Sequence, residues 1–431
     1  MAGGDFTLQR LGRDLSLYLH ADERFKTTRV DLFLSTLLRR GAHTRLALIG
    51  RLLERGTRRL PNLQRLNTFL DELFGANFSV EVEALGDHQL LHLGLEVVAS
   101  RFLPKGEDVL VPGLAFLGEV LADPETEGGG FRRDYLRQEK QALAAYIRSL
   151  NNDKSAYAHR RCLELMCGDD PCGLPAHGDP ADFRGITARR LLNSHRQLLA
   201  TAPMAVFISG QPAPGIGKRL EHDLVCWERR PEGKAHPPPV PCPPLAGPRE
   251  LFEPHEVSQG RLVLGYRTGI SMADADYPAL LLCNALLGGD AQSLLFRQVR
   301  ESAGLCYHIG SQLESLCGLL FIEAGIEPRA YPQVRVEIDR QLAALQQSGF
   351  SANDLAVCRI LLQRNLWAMD DNAEGLVRFH YQQSLAGIGL SRPEWHQRLE
   401  SVQAADVARV AGRFQLDTAF FLYPEQGGWR P

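Results

Sequence analysis

Several groups of side chains in this chain have types and spacings that could do chemistry. Cys162, Cys167 and Cys172 stand five residues apart, with His177 five further on, a set of donors that zinc would accept. Zinc sites usually close small chelate loops between ligands about two to four residues apart, so this set is loose. On a helix from Lys154 to Met166, positions i and i+5 lie about 140° apart around the axis. The expectation is buried, inert thiols. His88 and His92 have the i, i+4 spacing of helical zinc ligands, but they fall in an alternating stretch. On a strand such a pair is about 13 Å apart, too far for a shared metal with bonds of about 2.0–2.1 Å. Gly210 to Lys218 (GQPAPGIGK) is the nearest thing to a phosphate loop. Ile216 stands where a Walker lysine belongs and Leu220 where the third dinucleotide glycine belongs, so a turn is expected. Asp169-Asp170 and Asp370-Asp371 adjoin helix ends and read as solvated caps. No G-x-S-x-G or H-E-x-x-H occurs. The residues by themselves contain no self-sufficient catalytic site.

The elements that would position these groups come in two similar series. The first opens with a strand, Val30 to Leu34, then helices at Thr44 to Glu54 (Thr44 as N-cap) and Asn62 to Phe74. Phe78 to Ala84 and Gln89 to Val97 alternate around Gly86-Asp87, the signal of a hairpin. Helices come next at Val111 to Leu121, Arg132 to Ser149, Ser155 to Met166 and Thr187 to Leu199, then a strand, Met204 to Ser209. The second series has a strand at Arg261 to Arg267, helices at Tyr277 to Leu287 and Gln292 to Glu301, and a hairpin over Cys306 to Ile326. Helices at Tyr331 to Gln347, Ala352 to Met369, Arg392 to Glu400 and Ala404 to Phe414 precede a last strand, Ala419 to Tyr423. Clustered strands with many helices, lacking strict βα alternation, predict an α+β layer fold built by internal duplication.

Eight prolines between Pro231 and Pro248 forbid helix or central strand there and predict an extended spacer. The expected organisation is an N-terminal domain, 1–230, a Pro-rich linker, 231–249, and a C-terminal domain, 250–431. The length of 431 residues fits two domains better than one core. A formal net charge of −3 gives no electrostatic case for nucleic acid or an anionic membrane as partner. No apolar run approaches the roughly 18 residues of a membrane span. The first residues lack the basic and apolar regions of a secretory signal, and nine cysteines is an odd number, so a reduced cytoplasmic setting is expected.

Particular residues resemble the insulinase/pitrilysin metallopeptidases: Leu53-Glu54-Arg55-Gly56-Thr57, Leu70 to Ala76, Glu139-Lys140, Ser293 to Glu301, and Gly304-Leu305-Cys306-Tyr307. The resemblance runs over nearly the whole chain. Asn152 to Ala158 and Gln259 to Thr268 are similar to the YfmF-type subgroup, associated with 5-aminopentanol modification of elongation factor P. The family implies duplicated domains, each a mixed, largely antiparallel sheet covered by helices. Its active members carry an inverted zinc motif, H-x-x-E-H, and a further glutamate on a second helix. Counting back from Gly56-Thr57 puts the motif on Ala47, Gly50 and Arg51, and counting seven on from Glu139 puts the last ligand at Tyr146. Ala47 and Gly50 have no side-chain donor, and Arg51 brings a permanent positive charge. His43 is the nearest histidine, with no carboxylate-histidine pair to rescue it. The resemblance therefore implies a lost zinc site and no metal or other cofactor.

The family's second half supplies an arginine and a tyrosine, R-x6-Y, that bind substrate and stabilise an oxyanion; Arg300 and Tyr307 have that spacing. The plain alternative is that Arg300 pairs with Glu301 or a neighbour and Tyr307 packs a strand. The function implied by the resemblance is that of a non-catalytic subunit, which pairs with a zinc-bearing pitrilysin-like subunit and handles a peptide or protein substrate. A peptide-binding scaffold and an active hydrolase with atypical ligands stay open as alternatives.

Overall fold

Alternating apolar residues on Thr27–Leu37 and a two-residue turn between Asn77–Leu85 and His88–Val98 set the pattern of the first sheet. Gly86 adopts φ 63° in that turn, a conformation that costs glycine nothing and so fixes the register. The computed structural model describes residues 5–11, 15–104, 107–212, 215–225 and 247–425. In chain order the first half has β1 (Thr7–Arg10), β2 (Leu15–Ala21), β3 (Thr27–Leu37), α1 (Ala42–Leu53), α2 (Leu63–Glu72), β4 (Asn77–Leu85) and β5 (His88–Val98). Then come α3 (Leu110–Ala122), the short pair β6 (Thr126–Glu127) and β7 (Gly130–Phe131), α4 (Arg133–Ser149), α5 (Lys154–Cys167), α6 (Ala188–Thr201), β8 (Met204–Gly210) and α7 (Ile216–Val225). The second half has β9 (Arg249–His255), β10 (Gly260–Arg267), α8 (Tyr277–Asn284), β11 (Cys306–Glu314), β12 (Leu319–Ile326), α9 (Tyr331–Gln346) and α10 (Ala352–Ala368). It ends with α11 (Ala373–Leu385), α12 (Arg392–Ser401), α13 (Ala404–Ala411) and β13 (Gln415–Pro424). The fold is α+β.

The chain forms two compact units. The first comprises Met1–Ile147, Leu174–Pro237 and Ala373–His380. Its sheet runs β1-β2-β8-β3-β5-β4, antiparallel except where β2 meets β8. α1 is buried along most of its length, and Leu46, Leu48, Ile49, Leu52 and Leu53 join Leu91, Leu93 and Leu95 of β5 in one apolar core. Burying such side chains contributes about 1.5–3 kcal/mol each and holds α1 tightly. Thr44 does not cap it. The helix starts after Gly41, and the Thr44 hydroxyl donates to Asp182 at 2.6 Å while accepting from the Asp179 amide at 2.9 Å.

On α6, His195 is buried against Phe131, and burial pushes its imidazole from the usual 6.5 down to about 4. Between those values the unfolded chain binds a proton that the folded chain refuses, so stability falls as pH drops from 6.5 towards 4. Urea midpoints across that window should decline, and His195→Leu should flatten the decline; an unchanged slope in the variant would remove His195 as its cause.

The second unit comprises Arg148–Gly173, Pro238–Asn372 and Tyr381–Pro431. Its sheet runs β11-β12-β10-β13-β9, with β13 and β9 parallel and the rest antiparallel. α5 lies on β10 and β13. It comes close because Gly265 has no side chain: a Cβ there would stand 2.1 Å from the Met166 sulfur. Cys162, Cys167 and Cys172 are buried in this core, and desolvation raises the Cys162 thiol far above its ordinary range.

The units depart from the boundary read in the sequence. Residues 148–173 belong to the second unit, not to an N-terminal domain 1–230, and 373–380 belong to the first. A composition break does not say which sheet a helix packs upon. Within the proposed linker, residues 231–246 lie outside the described ones. Strands β1, β2, β6, β7 and β9 and helices α7 and α11 have no counterpart among the sequence-based elements.

Candidate functional site

The four positions implied as degenerate zinc ligands all lie in the first unit, on α1 and α4. Ala47 is buried in the apolar core. A Cβ added at Gly50 would meet Val82 Cγ2 of β4 at 2.7 Å, with Leu91 Cδ1 at 3.4 Å, so apolar side chains fill the space a glutamate would need. Arg51 reaches across to α4, where its Nε donates to Glu139 at 2.7 Å. Arg55, one turn further, donates from Nε to the other carboxylate oxygen at 2.6 Å. Both Glu139 oxygens are thus held by guanidinium groups, and the carboxylate is buried. Tyr146 is 40% exposed and its ring packs edge-on against His177, centroids 4.9 Å apart. His43 is buried, and desolvation lowers its pKa.

These side chains do not fit zinc. Two carry no donor atom, one is a permanent cation, and the nearby carboxylate is already committed to two arginines. Among the described residues no group of three His, Cys, Asp or Glu side chains is placed to hold a metal ion. His88 and His92 have separate roles: His92 hydrogen-bonds Asp31 at 2.8 Å and His88 lies against Asp87 at 2.6 Å. The ion triad has no signature in the sequence, because Arg51 and Glu139 are 88 residues apart.

Grafting the motif back should fail. In the quadruple variant Ala47→His, Gly50→Glu, Arg51→His, Tyr146→Glu, the new glutamate strikes Val82 and Glu139 loses one of its partners. Overpacking of this kind costs about 1–3 kcal/mol. Metal content after gel filtration should stay far below one zinc per chain; a stoichiometric ion would show that the core can open for it.

Arg300 and Tyr307 lie in the second unit. Residues Phe296–Ser302 form a π-helical turn that packs against β11. Arg300 is exposed, stacks over the Phe296 ring at 4.5 Å and has no ion pair among the described residues. The chain then turns at Gly304, φ 63°, where the Leu305 amide returns to the Val299 carbonyl at 3.0 Å. Cys306 pairs with Ile326 and His308 with Gly325, so Tyr307 is the extra residue of a bulge. The bulge breaks the alternation, leaving Tyr307 61% exposed and His308 exposed beside it. β11 and β4 are both edge strands, each with one side unpaired within its own sheet.

Known proteins share this arrangement of elements. "Probable inactive metalloprotease YmfF" of Bacillus subtilis is 30% identical over 413 residues, 96% of each chain. The chain belongs to the M16 peptidase family. A model described as the peptidase M16 inactive domain matches residues 185–362 of this M16 chain. Its fold is similar to that of a conserved protein from Enterococcus faecalis V583, with TM-score 0.89, 26% identity, and 99% and 100% of the two chains covered. It is also similar in fold to a peptidase M16 inactive domain from Pseudomonas fluorescens, with TM-score 0.78, 16% identity, and 99% and 100% covered. The M16 chain is thus a metallopeptidase homologue, similar to a probable inactive one. Among the described residues, no helix is long and apolar enough to cross a membrane.

Proposed function

We propose that this M16 homologue is a zinc-free subunit that pairs with a zinc-bearing M16 subunit and supplies Arg300 and Tyr307 to the shared reaction. The observation that carries the reading is a contrast between the two units. In the first, the ligand positions are closed by apolar packing and by the Arg51–Glu139–Arg55 triad. In the second, Arg300 and Tyr307 stand exposed, with a guanidinium and a phenol offering donors to a peptide carbonyl as it becomes an oxyanion. The substrate is a peptide or protein segment, which the open edges of β4 or β11 suit, because main-chain hydrogen bonds hold an extended chain without regard to its sequence. The likeness to YmfF-type proteins extends the proposal to cytoplasmic protein processing linked to 5-aminopentanol modification of elongation factor P.

The test is to purify the chain alone and together with a zinc-bearing M16 protein of the same organism. Alone it should have neither bound zinc nor peptidase activity, and mixing should produce activity that neither protein has by itself. A partner that is fully active by itself would overturn the pairing and leave a non-catalytic peptide-binding scaffold as the reading. Stoichiometric zinc in the isolated chain would point instead to a hydrolase with atypical ligands.

A further inference from the structure

A cavity of about 90 Å³ opens within the second unit where the N-terminal turn of α5 meets the sheet. Ser155 of α5, Arg261 of β10, His308 of β11, and Glu323 and Gly325 of β12 line it. The sheet register explains the hollow. Arg261, Gly325 and His308 lie side by side across three strands, and the glycine between the two basic residues leaves a notch. The Arg261 guanidinium leans into that notch, since a Cβ on Gly325 would sit 2.5 Å from its Nη1.

Arg261 is poorly satisfied by its own chain. Among the described residues its Nε–H is buried without an acceptor, and its side chain makes only a long 3.5 Å contact from Nη1 to Gln259. Arg29, on the central strand β3 of the other sheet, is held instead by Asp31 at 2.9 Å and Glu374 at 3.4 Å. No bond joins Glu323 to Arg261 among the described residues; its Oε1 lies 2.7 Å from both the His159 ring and the Gln312 amide. A buried donor without an acceptor is unfavourable unless a ligand supplies one.

We infer that this notch binds the carboxylate of a peptide, from its C-terminus or from an acidic side chain. A planar carboxylate can take two hydrogen bonds from the paired Nη groups of a guanidinium. Glu323 in the same wall repels a doubly charged phosphate more strongly than a singly charged carboxylate. The cavity is several times the share of one water, roughly 30 Å³, so a carboxylate fits. His308, which follows Tyr307 directly in β11, is part of this wall. The assignment rests on the reading of this unit as the substrate-holding half and narrows its substrates to peptides with a suitably placed carboxylate.

Binding is measured on the isolated chain labelled with 15N-arginine, using four probes: acetyl-Ala-Ala-Ala with its free C-terminus, the same peptide as the amide, acetyl-Ala-Glu-Ala-amide, and inorganic phosphate. At least one of the two carboxylate peptides should shift the Arg261 Nε signal and bind ten-fold or more tighter than the neutral amide. Preference for the first acid assigns the C-terminus, and preference for the second assigns an acidic side chain. Arg261→Gln and Gly325→Ala should each erase the preference with the thermal midpoint kept. Equal binding of acid and amide, a preference retained in Arg261→Gln, or tighter binding of phosphate than of either acid overturns the assignment. No zinc-bearing partner enters this measurement, so its failure and the failure of the mixing experiment are separate results.

Discussion

Tyr307→Phe in the mixed peptidase is expected to lower kcat by roughly two to three orders of magnitude, the usual effect of removing one oxyanion donor, about 2.7–4 kcal/mol. The substitution deletes a single hydroxyl from a side chain that is 61% exposed at a bulge, so the fold of β11 has little reason to change. Arg300→Ala should lower kcat comparably and also raise KM, because a guanidinium holds the substrate carbonyl before as well as during attack. Arg300→Lys should restore part of the binding and little of the rate, since an ammonium keeps the charge but loses the planar fork. Steady-state kinetics of the mixed proteins, with unfolding midpoints as a control, read these effects. A kcat within threefold of the parent for both Tyr307→Phe and Arg300→Ala would sink the assignment of the pair.

The second large effect concerns stability. Replacing both Arg51 and Arg55 by alanine strands the Glu139 carboxylate in the interior, and the expected loss is about 3–5 kcal/mol. Each single replacement should cost far less, near 1 kcal/mol, because the other arginine still holds one carboxylate oxygen. The two losses should therefore combine to more than their sum, which a double-mutant cycle in urea measures directly. Adding Glu139→Leu to the double variant should return most of the stability, because no uncompensated charge then remains. Strict additivity of the two arginine variants would show that Glu139 finds other partners or takes up a proton at little cost.

Much of the architecture was legible because it is local. The β4–β5 hairpin follows from Gly86-Asp87 between two alternating runs, and α1 and α4 follow from apolar periodicity. What escaped was either short or weakly patterned. β1 is only four residues long and exposed throughout, while β9 directly follows the Pro-rich stretch. For the site, residue types alone indicated that Ala47, Gly50 and Arg51 are unsuited to a metal. The Arg51–Glu139–Arg55 triad was not readable, because it joins residues more than 80 positions apart in the chain. The exposure of Tyr307 likewise depends on a one-residue bulge, which the spacing R-x6-Y does not encode.

The threading of the chain through its two units has a consequence for how such a protein can be divided. A cut within 231–249 gives one fragment that still carries α5 and another that still carries residues 373–380. The first fragment takes with it the helix whose Met166 and Cys162 cover Gly265, while the second keeps the Arg378 that bonds Glu83 at 2.6 Å. Each half therefore holds a piece of the other's sheet covering. The duplicated domains are reciprocal rather than modular: neither can be lost, exchanged or expressed alone without taking part of its twin.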